Sequence, residues 1–180
     1  MSVNELRQRM RQRRRAIGFG AQKRAAFTLA KHVLSTSAYQ RSKHIAFYLA
    51  SDGEIDVATV FKRAWSQGKT CYLPVIDNQR LLFVNYTPAS VLEPNRYGIL
   101  EPVSGGLIEP HRLDLVLTPV VAFDRHHHRI GMGGGFYDRT FAQGFVRHSV
   151  FMMGVAHQCQ RVHEITPQPW DVALDQMVTA

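Results

Sequence analysis

Apolar residues recur at helical spacing near the start of the chain and then gather into short runs, which predicts helices alternating with strands. Leu6, Met10 and Ile17 fall near one face of a helix over residues 2–17, with Gly18 and Gly20 expected to end it. Ala25, Leu29 and Val33 form the inner stripe of a second helix over residues 21–34. Residues 44–49 read as a strand, Ser51-Asp52-Gly53 as its turn, and residues 56–67 as a helix with Val57, Val60, Phe61 and Ala64 inside. Gly68 stops that helix, and residues 70–75 form the next strand. This strand–helix–strand unit is the crossover of a parallel sheet. A strand over residues 81–86 follows after only a short turn, so it is expected to pair antiparallel. Residues 103–112 read as a loop. The run Leu113 to Val121 is the most apolar strand and is expected to be central; a helix over residues 137–143 and a strand over residues 149–156 follow. The fold class is therefore α/β: a single domain with a mixed, mostly parallel sheet and helices on both faces.

Composition narrows the class. At 180 residues, with 45% hydrophobic and 20% charged, the chain is long enough for one buried core and has the balance of a globular protein. No apolar stretch approaches the roughly 20 residues that span a bilayer. The N-terminus lacks the apolar core of a secretory signal, and the two cysteines, Cys71 and Cys159, have neither metal spacing nor the number a disulfide framework needs. A cytoplasmic protein is expected, with both cysteines as small buried hydrophobes in strand-like runs.

Charge is concentrated. The first fifteen residues hold six arginines against Glu5 alone, a net +5 of the chain's +8. Such a segment is either a solvated face or one that meets nucleic acid, an anionic surface, or the phosphates of a small ligand. Nucleic acid is the weaker reading, because no exposed aromatics interleave with the arginines and no nucleic-acid motif occurs. His126-His127-His128 reads as an exposed hairpin tip: three adjacent histidines on a turn do not converge on one metal ion.

The chemistry centres on Arg129-Ile130-Gly131-Met132-Gly133-Gly134-Gly135-Phe136-Tyr137-Asp138-Arg139. A loop this poor in side chains lets main-chain N–H groups converge on an anion, and the start of a following helix adds its positive end. Arg129 and Arg139 supply forked donors for phosphate oxygens, and Asp138 stands where the magnesium of a polyphosphate would need a carboxylate. The loop lacks the Gly-Lys-Ser/Thr of a Walker A motif and the spacing of a Rossmann fingerprint, so it is a phosphate-binding loop of another type. Glu54 lies beyond the carboxyl end of a strand, where open α/β sheets bind ligands; it reads equally as the acid of a helix N-terminus. Tyr97 reads as a loop aromatic and Asp171 as a turn or cap residue.

The run from Arg129 to Asp138, with Phe123-Asp124 before it, resembles the signature of the 5-formyltetrahydrofolate cyclo-ligase family, and the resemblance extends from Leu6-Arg7 to the final residues 174–179. It implies ATP-dependent cyclisation of 5-formyltetrahydrofolate to 5,10-methenyltetrahydrofolate, with ADP and phosphate released and Mg2+ required. By the same resemblance, residues 129–137 and Arg7 would hold ATP, with Arg129 and Arg139 catalytic. Leu49, Glu54 and Tyr97, together with Met132, Gly133, Gly134, Gly135 and Phe136, would face the folate; Asp138 and Asp171 would bind magnesium. Met10-Arg11 is a rival to Leu6-Arg7 as the matching pair. Family members carry a lysine where this chain has Val3, and many carry a basic residue where it has Met132 and Gly134; Arg139 and the N-terminal arginines are expected to compensate. A monomer acting on 5-formyltetrahydrofolate and ATP, without nucleic acid or membrane, is expected. The alternatives are another ATP-dependent phosphotransferase of small molecules, or a nucleic-acid-binding module using the arginine-rich helix.

Overall fold

A computed structural model describes residues 2–142 and 144–180. Two helices open the chain, α1 (Val3–Arg15) and α2 (Phe19–Ser35), followed by the short α3 (Ser37–Arg41). Ser2 and Glu5 form a capping box at the start of α1, with Glu5 N–H donating to Ser2 Oγ at 3.2 Å and Ser2 N–H donating to Glu5 Oε2 at 2.6 Å. Gly18 separates α1 from α2 as the N-cap of α2, while Gly20 lies inside α2. The expectation that both glycines stop a helix is corrected at Gly20: a glycine costs only about 1 kcal/mol within a helix, and the packing of Leu29, Ala30 and Val33 outweighs it.

The strands are β1 (His44–Ala46), β2 (Thr70–Asp77), β3 (Arg80–Asn85), β4 (Leu92–Pro94), β5 (Leu100–Pro102), β6 (Leu107–Ile108), β7 (Leu115–Pro119), β8 (Ala122–Phe123), β9 (Arg129–Ile130), β10 (Phe151–Ala156) and β11 (Gln176–Thr179). Helix α4 (Ala58–Ser66) joins β1 to β2, and α5 (Phe136–Phe141) and α6 (Gly144–Ser149) lie between β9 and β10. The expected end of the α5 helix at Gln143 lies outside the described residues. The main sheet runs β11-β10-β7-β1-β2-β3-β6. Pairing is parallel from β11 through β2 and antiparallel at β2–β3 and β3–β6. The sheet is thus mixed and mostly parallel, with β7 and β1 at its centre. Strand β6 falls inside residues 103–112, where a loop was expected; two residues pairing at a sheet edge leave no periodic signal in the sequence.

Both faces of the sheet are covered by helices. On one, Leu29 and Val33 of α2 and Val60 and Phe61 of α4 pack against Ile45, Leu115 and Leu117. Phe61 stacks on Phe47 with ring centroids 4.2 Å apart. On the other, Phe141 of α5 and Val146 of α6 meet Phe83, Val116 and Met152. Alternate residues of β7 therefore serve opposite layers, which explains why its sequence is apolar without a break. Helix α1 stands apart from both layers and seats Met10 in a smaller cluster with Val121, Ala122, Ile130 and Ile165.

Strand order reverses at β1: the chain next adds β2 on one side and later β7 on the other. That switch point opens a crevice at the carboxyl ends of the parallel strands. The loop after β1, the loop after β7 and the β8–β9 hairpin all converge there. Cys71 is buried in β2 as expected. Cys159 is exposed, lying in a 3-10 turn (Gln158–Gln160) after β10, and so is not the buried hydrophobe the sequence suggested.

Candidate active site

Two cavities meet at this crevice, and the glycine loop is the wall between them. The first, of about 670 Å3, is lined by the turn after β1, the β4–β5 hairpin and one side of the loop. The second, of about 510 Å3, is lined by Arg7, Arg129, Arg139, the other side of the loop and the segment around Asp171. Gly131, Gly135, Arg129 and Asp138 belong to both walls. Met132, Gly134, Phe136 and Tyr137 face only the first, and Ile130 and Gly133 only the second. The residues expected around one loop are therefore all gathered, but successive ones serve opposite sides.

The β8–β9 hairpin aims the loop. Asp124 is buried at its base, and its carboxylate accepts from the main-chain N–H groups of His126 (2.8 Å), His128 (3.0 Å) and Ile165 (2.9 Å), and pairs with His128 Nδ1 at 3.1 Å. Burial works to raise its pKa, and these hydrogen bonds outweigh that and hold it below its ordinary value. His127 takes a positive φ of 65° at the tip. The histidines thus form the turn the sequence suggested, and no group of three metal-ligating side chains occurs among the described residues.

Arg129 leaves this hairpin with its side chain 6% exposed. Its guanidinium donates to Val172 O and to Asp138 Oδ1, the latter at 2.6 Å. Asp138 Oδ1 also accepts the N–H of Val172 at 3.0 Å. Asp171 Oδ2 accepts the N–H of Gln168 at 2.8 Å. Asp138 and Asp171 share the second cavity, and each keeps its other oxygen out of the hydrogen bonds described. Two carboxylates beside a cluster of arginines are a fitting donor set for a magnesium ion that takes its remaining ligands from phosphate and water.

Gly135 is the N-cap of α5 at φ 63°, in the left-handed region that favours glycine, and a Cβ there would press the end of Arg139 aside. Arg139 is exposed, donates to Gln79 O at 2.7 Å and to Gly134 O, and lies over the Phe136 ring. It ties the loop to the β2–β3 turn. Arg7 donates from Nε to Gly131 O at 2.8 Å, and its guanidinium passes Gly133. Of the two rival residues, Arg7 reaches the main chain of the glycine loop while Arg11 binds Asp52; Val3, one helical turn before Arg7, lines the second cavity with it. At six residues, α5 is too short for its dipole to contribute much, so the positive field here comes mainly from the arginine side chains.

In the first cavity, Glu54 is 11% exposed, and its Oε2 accepts from Ser51 N–H at 3.0 Å. Burial raises its pKa above the ordinary value, against the hydrogen bond from Ser51 and the charge of Arg14. Leu49 lines the same space, as does Tyr97, which is held edge-on to Phe136 at 6.4 Å. Asn95 shapes the β4–β5 turn by accepting from Tyr97 N–H (2.8 Å) and Ile99 N–H (3.1 Å).

Beneath Glu54 lies a feature the sequence did not disclose. Arg14 is fully buried; it donates from Nε to Asp52 O (2.9 Å), from Nη2 to Asp52 Oδ2 (2.9 Å) and from Nη1 to Val120 O (3.3 Å). Arg11 and Arg15 also bind the Asp52 carboxylate. Burial pushes the Asp52 pKa up, but the hydrogen bonds from the three arginines prevail and hold it at about 2. Three of the six arginines thus anchor α1, whereas a solvated face was one of the readings. Gly53, at φ 75°, permits the contact, since a Cβ would meet Arg14 O at 3.0 Å.

An open α/β sheet with two cavities at its switch point, one rich in arginine and the other largely apolar with Glu54 and Glu101 in its lining, has the architecture of an enzyme site. The family model described as "5-formyltetrahydrofolate cyclo-ligase family" matches residues 1–180. The chain belongs to that family. It is 38% identical over 175 residues to the 5-formyltetrahydrofolate cyclo-ligase of Escherichia coli (strain K12), covering 94% of this chain and 96% of that one. It is 38% identical over 158 residues to the Haemophilus influenzae protein of the same name, covering 85% and 84%. Among solved structures, it resembles the 5,10-methenyltetrahydrofolate synthetase of Aquifex aeolicus with a TM-score of 0.85 at 28% identity, over 99% of this chain and 90% of that one. No helix among the described residues is long and apolar enough to cross a membrane.

Proposed function

We propose that this chain cyclises 5-formyltetrahydrofolate to 5,10-methenyltetrahydrofolate at the expense of ATP, with the folate in the first cavity and MgATP in the second. The observation that carries this reading is that one glycine loop forms part of both walls, so a phosphoryl group in one cavity lies across the loop from an acceptor in the other. The formyl oxygen attacks the γ-phosphorus, and the bond to the leaving ADP oxygen breaks. N10 then bonds to the formyl carbon, the carbon–oxygen bond breaks to release phosphate, and the N10 proton passes to that phosphate.

Such a reaction asks for alignment and charge neutralisation more than for covalent help from the protein. Arg129 and Arg139, with Arg7, meet the phosphate charge. Asp138 and Asp171 would hold magnesium, which would supply further neutralisation of the phosphate charge. Met132 and Gly134 carry no charge, and the three arginines gathered at the second cavity take the place of the basic residues absent there. Glu54 accepts hydrogen bonds from the N–H groups of the pterin, Tyr97 stacks on the folate, and Leu49 supplies apolar wall. The chain acts as one domain, as a monomer, in the cytoplasm.

Glu54→Gln tests the assignment of the cavities. The substitution raises the KM for 5-formyltetrahydrofolate about tenfold, as expected for a lost hydrogen bond to a charged group, and leaves the KM for ATP unchanged. Acidity gives a second reading. Binding uses the ionised carboxylate, and a raised pKa moves its loss to a higher pH. Folate KM in the unaltered protein therefore rises on acidification while still above the ordinary carboxylate range, and Glu54→Gln abolishes that rise. Equal KM values for the two proteins across pH contradict the assignment.

A further inference from the structure

Arg14 stands between two carboxylates and treats them unequally. Its Nη2 is 2.9 Å from Asp52 Oδ2 and 3.5 Å from Glu54 Oε1. The remaining described contacts of the guanidinium are Asp52 O, Val120 O and, at 3.7 Å, the sulfur of Met132. Glu54 Oε2 is held by Ser51, whereas Oε1 makes no hydrogen bond among the described residues and belongs to a side chain that lines the first cavity. A guanidinium as buried as this one needs an anion at close range. Asp52 fills that need, with Arg11 on the same oxygen, Oδ2, and Arg15 on Oδ1.

We infer that Asp52 is a positioning residue for Glu54: by engaging Arg14 it keeps Glu54 from closing onto that guanidinium and leaves Oε1 available to the ligand. The inference rests on the reading that folate occupies the first cavity. The opposite displacements of the two carboxyl groups agree with it, Asp52 held low by its arginines and Glu54 raised by burial. The groups that face Glu54 are Arg14 and, farther off, Arg11 from α1, Ser51 and Asp52 from its own turn, and Tyr48 and Tyr137 from the adjoining strand end and α5. Of the two cations, Arg14 stands at ion-pair distance from it, at 3.5 Å, while Arg11 is engaged by Asp52. With Asp52 made neutral, Arg14 takes Glu54 as its counter-ion, and the hydrogen-bond acceptor offered to the pterin is lost.

A double-mutant cycle on the intact chain tests this, with the Kd of 5-formyltetrahydrofolate measured by calorimetry. Asp52→Asn keeps the shape of the turn and weakens folate binding about tenfold, the scale of a hydrogen bond to a charged acceptor. Asp52→Glu, which keeps the charge, binds as the unaltered protein does. In a Glu54→Gln background, Asp52→Asn adds no further loss, because the group it positions is already gone. An unchanged Kd in Asp52→Asn, or the same added loss in both backgrounds, overturns the inference and leaves Asp52 a structural anchor. If Glu54→Gln itself leaves Kd unchanged, the assignment of folate to this cavity is what fails. Urea unfolding of each variant confirms that folded protein is compared, and Asp52→Ser provides the same cycle should Asp52→Asn not fold.

Discussion

Replacing Arg129 with alanine lowers the turnover of cyclisation by a factor of about 100 to 1,000, the effect of removing one pre-placed donor to a developing charge. Among the arginines at the second cavity, Arg129 is held most firmly. It is 6% exposed, fixed at both ends of its fork by Val172 O and Asp138, and set in the wall shared by both cavities. Such a group needs no rearrangement when the phosphoryl is transferred. Arg139 is exposed, so its removal has the smaller effect. Arg129→Lys recovers little, since a point charge cannot bind Val172 O and Asp138 together and still face phosphate. Rates at saturating folate and MgATP decide the matter, and a loss below about tenfold removes Arg129 from the centre of the account.

The largest effect on stability falls at Arg14. Arg14→Ala lowers the free energy of unfolding by about 3–5 kcal/mol, the cost of breaking a buried ion pair from one side. The loss combines an emptied volume with the hydrogen bonds to Asp52 and Val120 O that hold α1 against the loops after β1 and β7. Urea denaturation at neutral pH measures it; a change under about 1 kcal/mol contradicts the role given to this residue. The same network has an acid signature. Asp52 is held at about 2 against an ordinary value of 3.8, so its contribution is complete above 3.8 and disappears as pH falls through about 2. That contribution amounts to about 2 kcal/mol at neutral pH.

Much of this molecule was legible from sequence because its signals are local. The unbroken apolar run of β7 marked the sheet centre, and the strand–helix–strand around α4 marked a parallel crossover. The glycine loop stood out by composition, whereas the place of Glu54 after β1 left it equally the acid of a helix N-terminus, and only the family resemblance implied that it faces the folate. The division of the loop between two cavities was not legible, because it depends on how successive residues turn in a non-repetitive backbone. Arg14 and Asp52 were hidden for a different reason. Arg14 is one arginine among six in the opening segment, and the partner that distinguishes it lies 38 positions away in what reads as an ordinary turn. Elements β6 and α3 are too short to show a period, and Cys159 sits in a turn where a strand-like neighbourhood misleads.

The most direct measurement is near-UV absorbance of the purified protein with 5-formyltetrahydrofolate, a thiol, ATP and magnesium, read for the methenyl product. A steady rise is expected that requires both ATP and magnesium and is nearly abolished in Arg129→Ala. No rise, with MgATP still bound by calorimetry, would contradict the proposed function and assign the second cavity to a different acceptor.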